Sequence, residues 1–215
     1  MTETLAISLP DGRTITALRD DPGDAGWTFA YAPGAGSNIH DPFGAYLASE
    51  LAARGVAVVR FEFPYQQAGK RAPDRPEVLE DTWRAVIEAV RPARGRLAVG
   101  GRSMGGRIAS HVVAQGMEVN ALVLFAYPLH PPGRPELTRD AHLPAIAVST
   151  LFCSGTNDAF ASPDELQTAA AKVPRSSVCL LEGADHGFVV PKASGRTRQD
   201  VWAEALDATV EWLQC

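Results

Sequence analysis

Apolar and polar residues alternate over 4–9 (Thr-Leu-Ala-Ile-Ser-Leu) and again over 14–18 (Thr-Ile-Thr-Ala-Leu), with Pro10-Asp11-Gly12 between them. A period of two puts alternate side chains on opposite faces of a strand, so the spacing predicts a hairpin. The pattern then changes. Residues 27–32, 56–61 and 97–100 are apolar at nearly every position, which marks strands covered on both faces, and 120–126, 149–153 and 177–181 add further strands. Helical periods fall between them. Over 76–90, Val78, Leu79, Trp83, Val86, Ile87 and Val90 share one face. Asp41-Pro42 supplies a cap and a first-turn proline for a helix running to Arg54, where Gly55 stops it. Further helices are expected over 107–114, 163–172 and 198–212, and proline-rich loops over 62–75 and 127–144. A hairpin followed by alternating strands and helices predicts an α/β fold. Its form is a doubly wound, mostly parallel sheet of about eight strands with an antiparallel N-terminal edge, helices on both faces and no helical lid. The whole of 1–215 is expected to form a single domain.

Composition narrows the function classes. The chain has 215 residues, 46% apolar and 21% charged, which is globular usage, and a net charge of −5 gives no basic footprint for nucleic acid. No apolar run reaches bilayer length, and the acidic start Met-Thr-Glu-Thr lacks an apolar signal core. Cys153, Cys179 and Cys215 have no zinc-ligand spacing and read as free thiols of a reducing compartment. The expectation is a cytoplasmic protein that acts on a small molecule, with no cofactor, metal, nucleic-acid or membrane partner.

In sheets of this kind the chemistry collects at the carboxyl ends of the strands. After the 97–100 strand comes Gly101-Arg102-Ser103-Met104-Gly105, then a helical run. G-x-S-x-G between strand and helix places a serine on a sharp turn, and the glycines leave room that side chains would fill. Neither phosphate-loop pattern fits the spacing. A serine hydroxyl needs a base. His186 follows the last strand in Glu-Gly-Ala-Asp-His-Gly-Phe, at the same end of the sheet. His40 and His130 follow other strands, while His142 suits fixing loop backbone and His111 suits packing within a helix. The base needs a carboxylate, and Asp158 follows the 149–153 strand. Asp185 is better placed to shape the histidine loop, and Asp164 to start a helix. Two backbone N–H donors for a developing oxyanion are expected at Met104 and at Ala35 in Pro33-Gly-Ala-Gly36.

With these pieces in order, the chain resembles the α/β-hydrolase superfamily over nearly its whole length. The motifs are Pro33-Gly-Ala-Gly36, Gly101-Arg-Ser-Met-Gly-Gly106, Gly155-Thr-Asn-Asp158 and Asp185-His-Gly187. The compact form and the wording Gly-Gly-Arg-Ser-Met-Gly-Gly-Arg resemble the dienelactone-hydrolase-like branch, including its testis-expressed and NSL-complex-subunit-type hydrolase-like members. The resemblance implies a triad of Ser103, Asp158 and His186 with Ala35 and Met104 as oxyanion donors. Dienelactone hydrolases proper use a cysteine where this chain has Ser103, and Pro33 stands where a histidine usually precedes the oxyanion glycine. The function implied is a carboxylesterase-type serine hydrolase of a small ester or thioester. The alternatives are a non-catalytic interaction module of the same fold, or an amidase, peptidase or perhydrolase using the same triad. An open cleft is expected, edged by Phe63-Pro-Tyr65 and Tyr127-Pro-Leu-His130, with Lys70, Arg71, Arg75, Arg102 and Arg107 as possible sources of a positive rim.

Overall fold

Gly12 takes φ +85°, a left-handed value that costs glycine little, and Leu9 and Arg13 close the turn with a 2.8 Å hydrogen bond. This joins strands β1 (Thr2–Ser8) and β2 (Thr14–Asp20) in the antiparallel register that pairs Leu5 with Ala17. The computed structural model describes residues 2–214, so Cys215 lies outside the described residues. Six more strands follow: β3 (Trp27–Ala32), β4 (Val56–Phe61), β5 (Arg96–Arg102), β6 (Ala121–Phe125), β7 (Ser149–Gly155) and β8 (Ser176–Leu181). They form one eight-stranded sheet in the order β1-β2-β4-β3-β5-β6-β7-β8, parallel from β4 to β8. The central strands β3 to β7 are buried along almost their full length, as their unbroken apolar runs require.

Among the described residues six α-helices pack against the sheet, the last after β8: α1 (Pro42–Ala52), α2 (Pro64–Gln67), α3 (Pro76–Val90), α4 (Met104–Ala114), α5 (Pro163–Ala170) and α6 (Arg198–Gln214). Asp41 caps α1 by accepting the Gly44 N–H at 2.9 Å. The helix ends at Ala52, two residues before the sequence expectation, and Gly55 follows at φ +80°. Helix α5 likewise ends at Ala170 rather than 172. On α3 the buried stripe is Leu79, Trp83, Val86, Ile87 and Val90; Thr82 joins it by returning its hydroxyl to Val78 O at 2.7 Å, while Val78 is half-buried. One sheet face packs α3, α4 and α5 through Trp83, Ile108 and Leu166, and the other packs α1 and α6 through Phe43, Leu47, Val201 and Leu206. Each such side chain contributes roughly 1.5–3 kcal/mol on leaving water. The connection from β6 to β7 holds only a 3-10 turn, Leu143–Ala145, so no helical lid covers the sheet ends. The 62–75 segment differs from expectation: it contains α2, started by Pro64 at the first turn and by Gln66, which accepts the Phe63 N–H at 2.9 Å.

Candidate active site

β5 runs directly into α4, and the residue at the junction is Ser103, at φ 50° and ψ −117°. A residue with a side chain stores about 1–3 kcal/mol in such a conformation. The junction is held by Ser103 N–H donating to Phe125 O at 2.8 Å and Arg107 N–H donating to Ser103 O at 3.0 Å. Close approach explains the glycines that follow. A Cβ on Gly105 would lie 2.3 Å from Ala32 O, and one on Gly106 would lie 2.5 Å from Gly101 O. Both contacts are with backbone, so no rotamer change relieves them.

The structure brings Ser103, His186 and Asp158 into one hydrogen-bonded chain. Ser103 Oγ is 2.9 Å from His186 Nε2, and His186 Nδ1 is 2.8 and 3.0 Å from the Asp158 oxygens. An ionised carboxylate only accepts, so Nδ1 carries the proton and Nε2 is left to accept from the serine hydroxyl. Asp158 is 5% exposed and also accepts from Phe160 N–H at 2.8 Å and Ser154 Oγ at 3.3 Å. Phe160 stacks on the imidazole with centroids 4.0 Å apart, and Phe188 anchors the histidine loop against Phe43 at 5.1 Å. Asp185 accepts the Gly187 and Val189 N–H groups at 2.7 and 2.9 Å, which shapes that loop as the sequence suggested.

The 33–36 loop lies against the junction, where a Cβ on Gly34 would stand 3.6 Å from Ser103 Cβ. Among the described residues no turn or cap hydrogen bond takes the N–H of Ala35 or Met104, and Met104 is the first residue of α4, where an N–H has no intrahelical acceptor. The loop is fixed from α2, a contact with no counterpart in the sequence reading. Tyr65 donates to Ala35 O at 2.9 Å, and Gln66 Nε2 donates to Gly34 O and Ser37 O at 3.0 and 2.9 Å. These two side chains hold the loop in a chain with Pro33 at its head. The signal was present: Pro64 and Gln66 at the first and third positions after Phe63 form a helix start.

The cleft beside Ser103 has a volume of about 320 Å³ and is lined by Gly34, Ala35, Gly36, Ser37, Asp41, Arg102 and His186. The expected aromatic edge is absent. Phe63, Tyr65 and Tyr127 are all buried to 1% exposure or less, and His130 is 5% exposed. Helix α2 turns the first pair inward, and Tyr127 donates to Arg139 O at 2.6 Å beneath its loop. Lys70, Arg71 and Arg75 are exposed and do not line this cleft; Arg102 does, and Arg107 is half-buried and contacts His111. His40 is exposed, and His130 sits 3.4 Å from Glu165. Asp164 lies in the first turn of α5, capped by Ser162. His111 contacts Glu80 at 3.3 Å, and His142 departs from expectation by meeting the Ser110 hydroxyl at 2.7 Å instead of loop backbone. A larger hollow of about 380 Å³ at the opposite end of the sheet, between Trp27, Arg96 and Trp212, contains no serine–histidine pair. Cys153 and Cys179, neighbours across β7 and β8, are free thiols. Among the described residues no helix is long and apolar enough to cross a membrane, and no cluster of three or more His, Cys, Asp or Glu is disposed to hold a metal ion.

Comparison with solved structures finds the same architecture. A dienelactone hydrolase from Anabaena variabilis superposes with a TM-score of 0.80 at 18% identity, covering 100% of this chain and 97% of that one. An α/β serine hydrolase without a lid from Xanthomonas campestris gives 0.75 at 21% identity over 98% and 94% of the two chains. The esterase domain of a Rhodothermus marinus protein gives 0.73 at 16% identity over 99% and 97%. At these identities the likeness is one of fold. The model of the alpha/beta hydrolase domain matches residues 26–214, from the start of β3 through α6, and by that match the chain belongs to the alpha/beta hydrolase family.

Proposed function

We propose that this chain is a serine hydrolase of short acyl esters or thioesters, acting through an acyl-enzyme on Ser103. The observation that carries the reading is the Ser103–His186–Asp158 chain of hydrogen bonds at 2.9 and 2.8 Å, seated on a strained turn. His186 takes the Ser103 proton as Oγ attacks the acyl carbon, and Asp158 holds the imidazolium that results. The oxygen of the tetrahedral intermediate is received by the Ala35 and Met104 N–H groups. His186 then protonates the leaving alkoxide or thiolate, and afterwards activates the water that frees Ser103. The cleft supports a short acyl group: the residues lining it offer no apolar side chain larger than the methyl of Ala35. A long alkyl chain gains about 0.8 kcal/mol per methylene only against an apolar wall. Residues 1–215 act as one domain in this reading. The description of the Rhodothermus neighbour as an esterase domain supports the ester over the amide.

The test is intact-mass labelling with a fluorophosphonate, which needs an activated serine and little else from the site. One adduct per chain on the wild type, absent from Ser103→Ala, supports the reading. Folded wild-type protein that takes no adduct returns the chain to a non-catalytic role. A p-nitrophenyl ester series then tests acyl length, with kcat/KM expected to fall beyond the shortest members.

A further inference from the structure

We infer that Arg102 is a positioning residue whose guanidinium ties the histidine loop to the cap of α1 and so keeps His186 within reach of Ser103. The inference rests on the reading of Ser103 and His186 as nucleophile and base. Arg102 ends β5, immediately before Ser103. Its Nη2 donates to the main-chain carbonyl of His186 at 3.0 Å, its Nη1 lies 3.8 Å from Asp41 Oδ1, and its Cζ stands over the Phe188 ring at 5.4 Å. One side chain thus touches the strand carrying the nucleophile, the loop carrying the base and the residue that caps α1.

Asp41 is a fixed anchor for this contact. It is 4% exposed and accepts from Tyr31 Oη at 2.7 Å, Gly44 N–H at 2.9 Å and Ser37 Oγ at 3.2 Å. Burial first, and then the Asp41 charge itself, push the Tyr31 phenol well above its ordinary range, so Tyr31 remains a donor. Through Ser37 the same carboxylate reaches the end of the oxyanion loop. The side chains of Arg102 and Asp41 are 19% and 6% exposed, so water and salt screen their attraction less than at an open surface.

To a loop that Phe188 anchors by packing on Phe43, Arg102 adds a polar tie at the histidine itself. The bonds from Asp185 to Gly187 and Val189 lie within the loop and move with it. Asp158 holds the imidazole at Nδ1 from the end of β7, and Phe160 stacks on the ring face at 4.0 Å. Arg102 holds the main chain of the same residue from β5. His186 is thus held through its ring from β7 and through its main chain from β5, and the second hold is the one Arg102 adds. A lysine at 102 offers one point charge in place of a planar fork and reaches either the carbonyl or Asp41, not both together.

The experiment compares wild type, Arg102→Met and Arg102→Lys, with thermal midpoints to establish folding. Turnover of p-nitrophenyl acetate and of a p-nitrophenyl hemisuccinate is measured, together with the fluorophosphonate labelling rate. Arg102→Met is expected to lower kcat and the labelling rate by about 100-fold, the scale of a small misplacement of a reacting group, with KM nearly unchanged. The loss is expected to be equal for the neutral and the anionic ester, with Arg102→Lys recovering part of it. A rise in KM confined to the anionic ester would make Arg102 a substrate receptor and overturn the positioning role, as would unchanged kcat. The low-field proton resonance of His186 Nδ1–H gives a readout independent of turnover. It is expected to be sharp in wild type, weaker in Arg102→Lys and lost to exchange in Arg102→Met. Should the wild type neither label nor turn over, the hydrolase reading fails by itself, and a sharp resonance persisting in Arg102→Met would still refute the tie. Should Arg102→Met not fold, Arg102→Lys decides the same comparisons.

Discussion

Helix α4 bears two serine–histidine contacts, and only one has the arrangement that the proposed chemistry requires. At its start, Ser103 Oγ meets His186 Nε2 at 2.9 Å; two turns later, Ser110 Oγ meets His142 Nε2 at 2.7 Å. By distance alone the second is the better pair. Ser110, however, is fully buried, and its hydroxyl donates to Arg107 O at 2.7 Å, an ordinary return of a helical serine to the turn before it. With its one proton spent there, Ser110 accepts from His142. The nearby carboxylate, Glu80, faces His111, whose ring is 4.2 Å from that of His142, instead of orienting His142 itself. Burial, with His111 and Arg107 adding to it, pushes the His142 imidazole down to about 4, too low for a base at neutral pH. A base contact becomes a site only when the serine is reachable, its proton is uncommitted, the other imidazole nitrogen is held by an acid, and amide donors face the same point.

Four experiments sharpen or break this contrast, from the largest expected effect to the smallest. Ser103→Ala is expected to reduce kcat by at least about 10⁴-fold and abolish labelling, while Ser110→Ala keeps turnover within about twofold and costs about 1 kcal/mol of stability. Comparable losses of turnover in the two variants would dissolve the distinction. Asp158→Asn is expected to cost about 10³–10⁴-fold in kcat by releasing the His186 tautomer, against no more than about twofold for Glu80→Gln. Gly105→Ala is expected to destabilise the chain by about 3 kcal/mol or more in urea, because the new methyl meets Ala32 O at 2.3 Å. Finally, the His142 contact should be visible in the pH dependence of stability. The unfolded imidazole takes up a proton below its ordinary 6.5, and the folded one only near 4. Stability from neutral His142 is therefore present above pH 6.5 and is lost as the pH falls from 6.5 towards 4. Glu80 and Asp140 oppose the downward shift without cancelling it. The urea midpoint of His142→Gln should fall less over that window than the wild type's; parallel curves would remove the assignment.

The strands and the residues of the candidate site could be read from the sequence for different reasons. The hairpin and the apolar runs announce themselves through local periodicity, and Ser103, Asp158 and His186 through residue type at the ends of strands. What eluded the sequence is what depends on distant partners. Tyr65 and Gln66 reach the 34–37 loop across some thirty positions, and no spacing rule links them. Arg102 and His186 are separated by 84 positions, so that contact exists only once β5 and β8 are in the same sheet. Phe63 and Tyr65 were expected to edge the cleft; a four-residue helix instead turns both inward, Tyr65 beneath the loop it bonds to.

The glycines after Ser103 have a bearing on descent. Gly105 and Gly106 are demanded by carbonyl oxygens of β3 and β5, and neither contact involves the serine hydroxyl. A lineage can therefore exchange Ser103 in a single step and keep the turn, whereas a change at Gly105 or Gly106 strikes the framework itself. In a homologue, the glycines report that the turn has been kept; whether the proposed chemistry goes with it is written in the serine, the acid and the histidine.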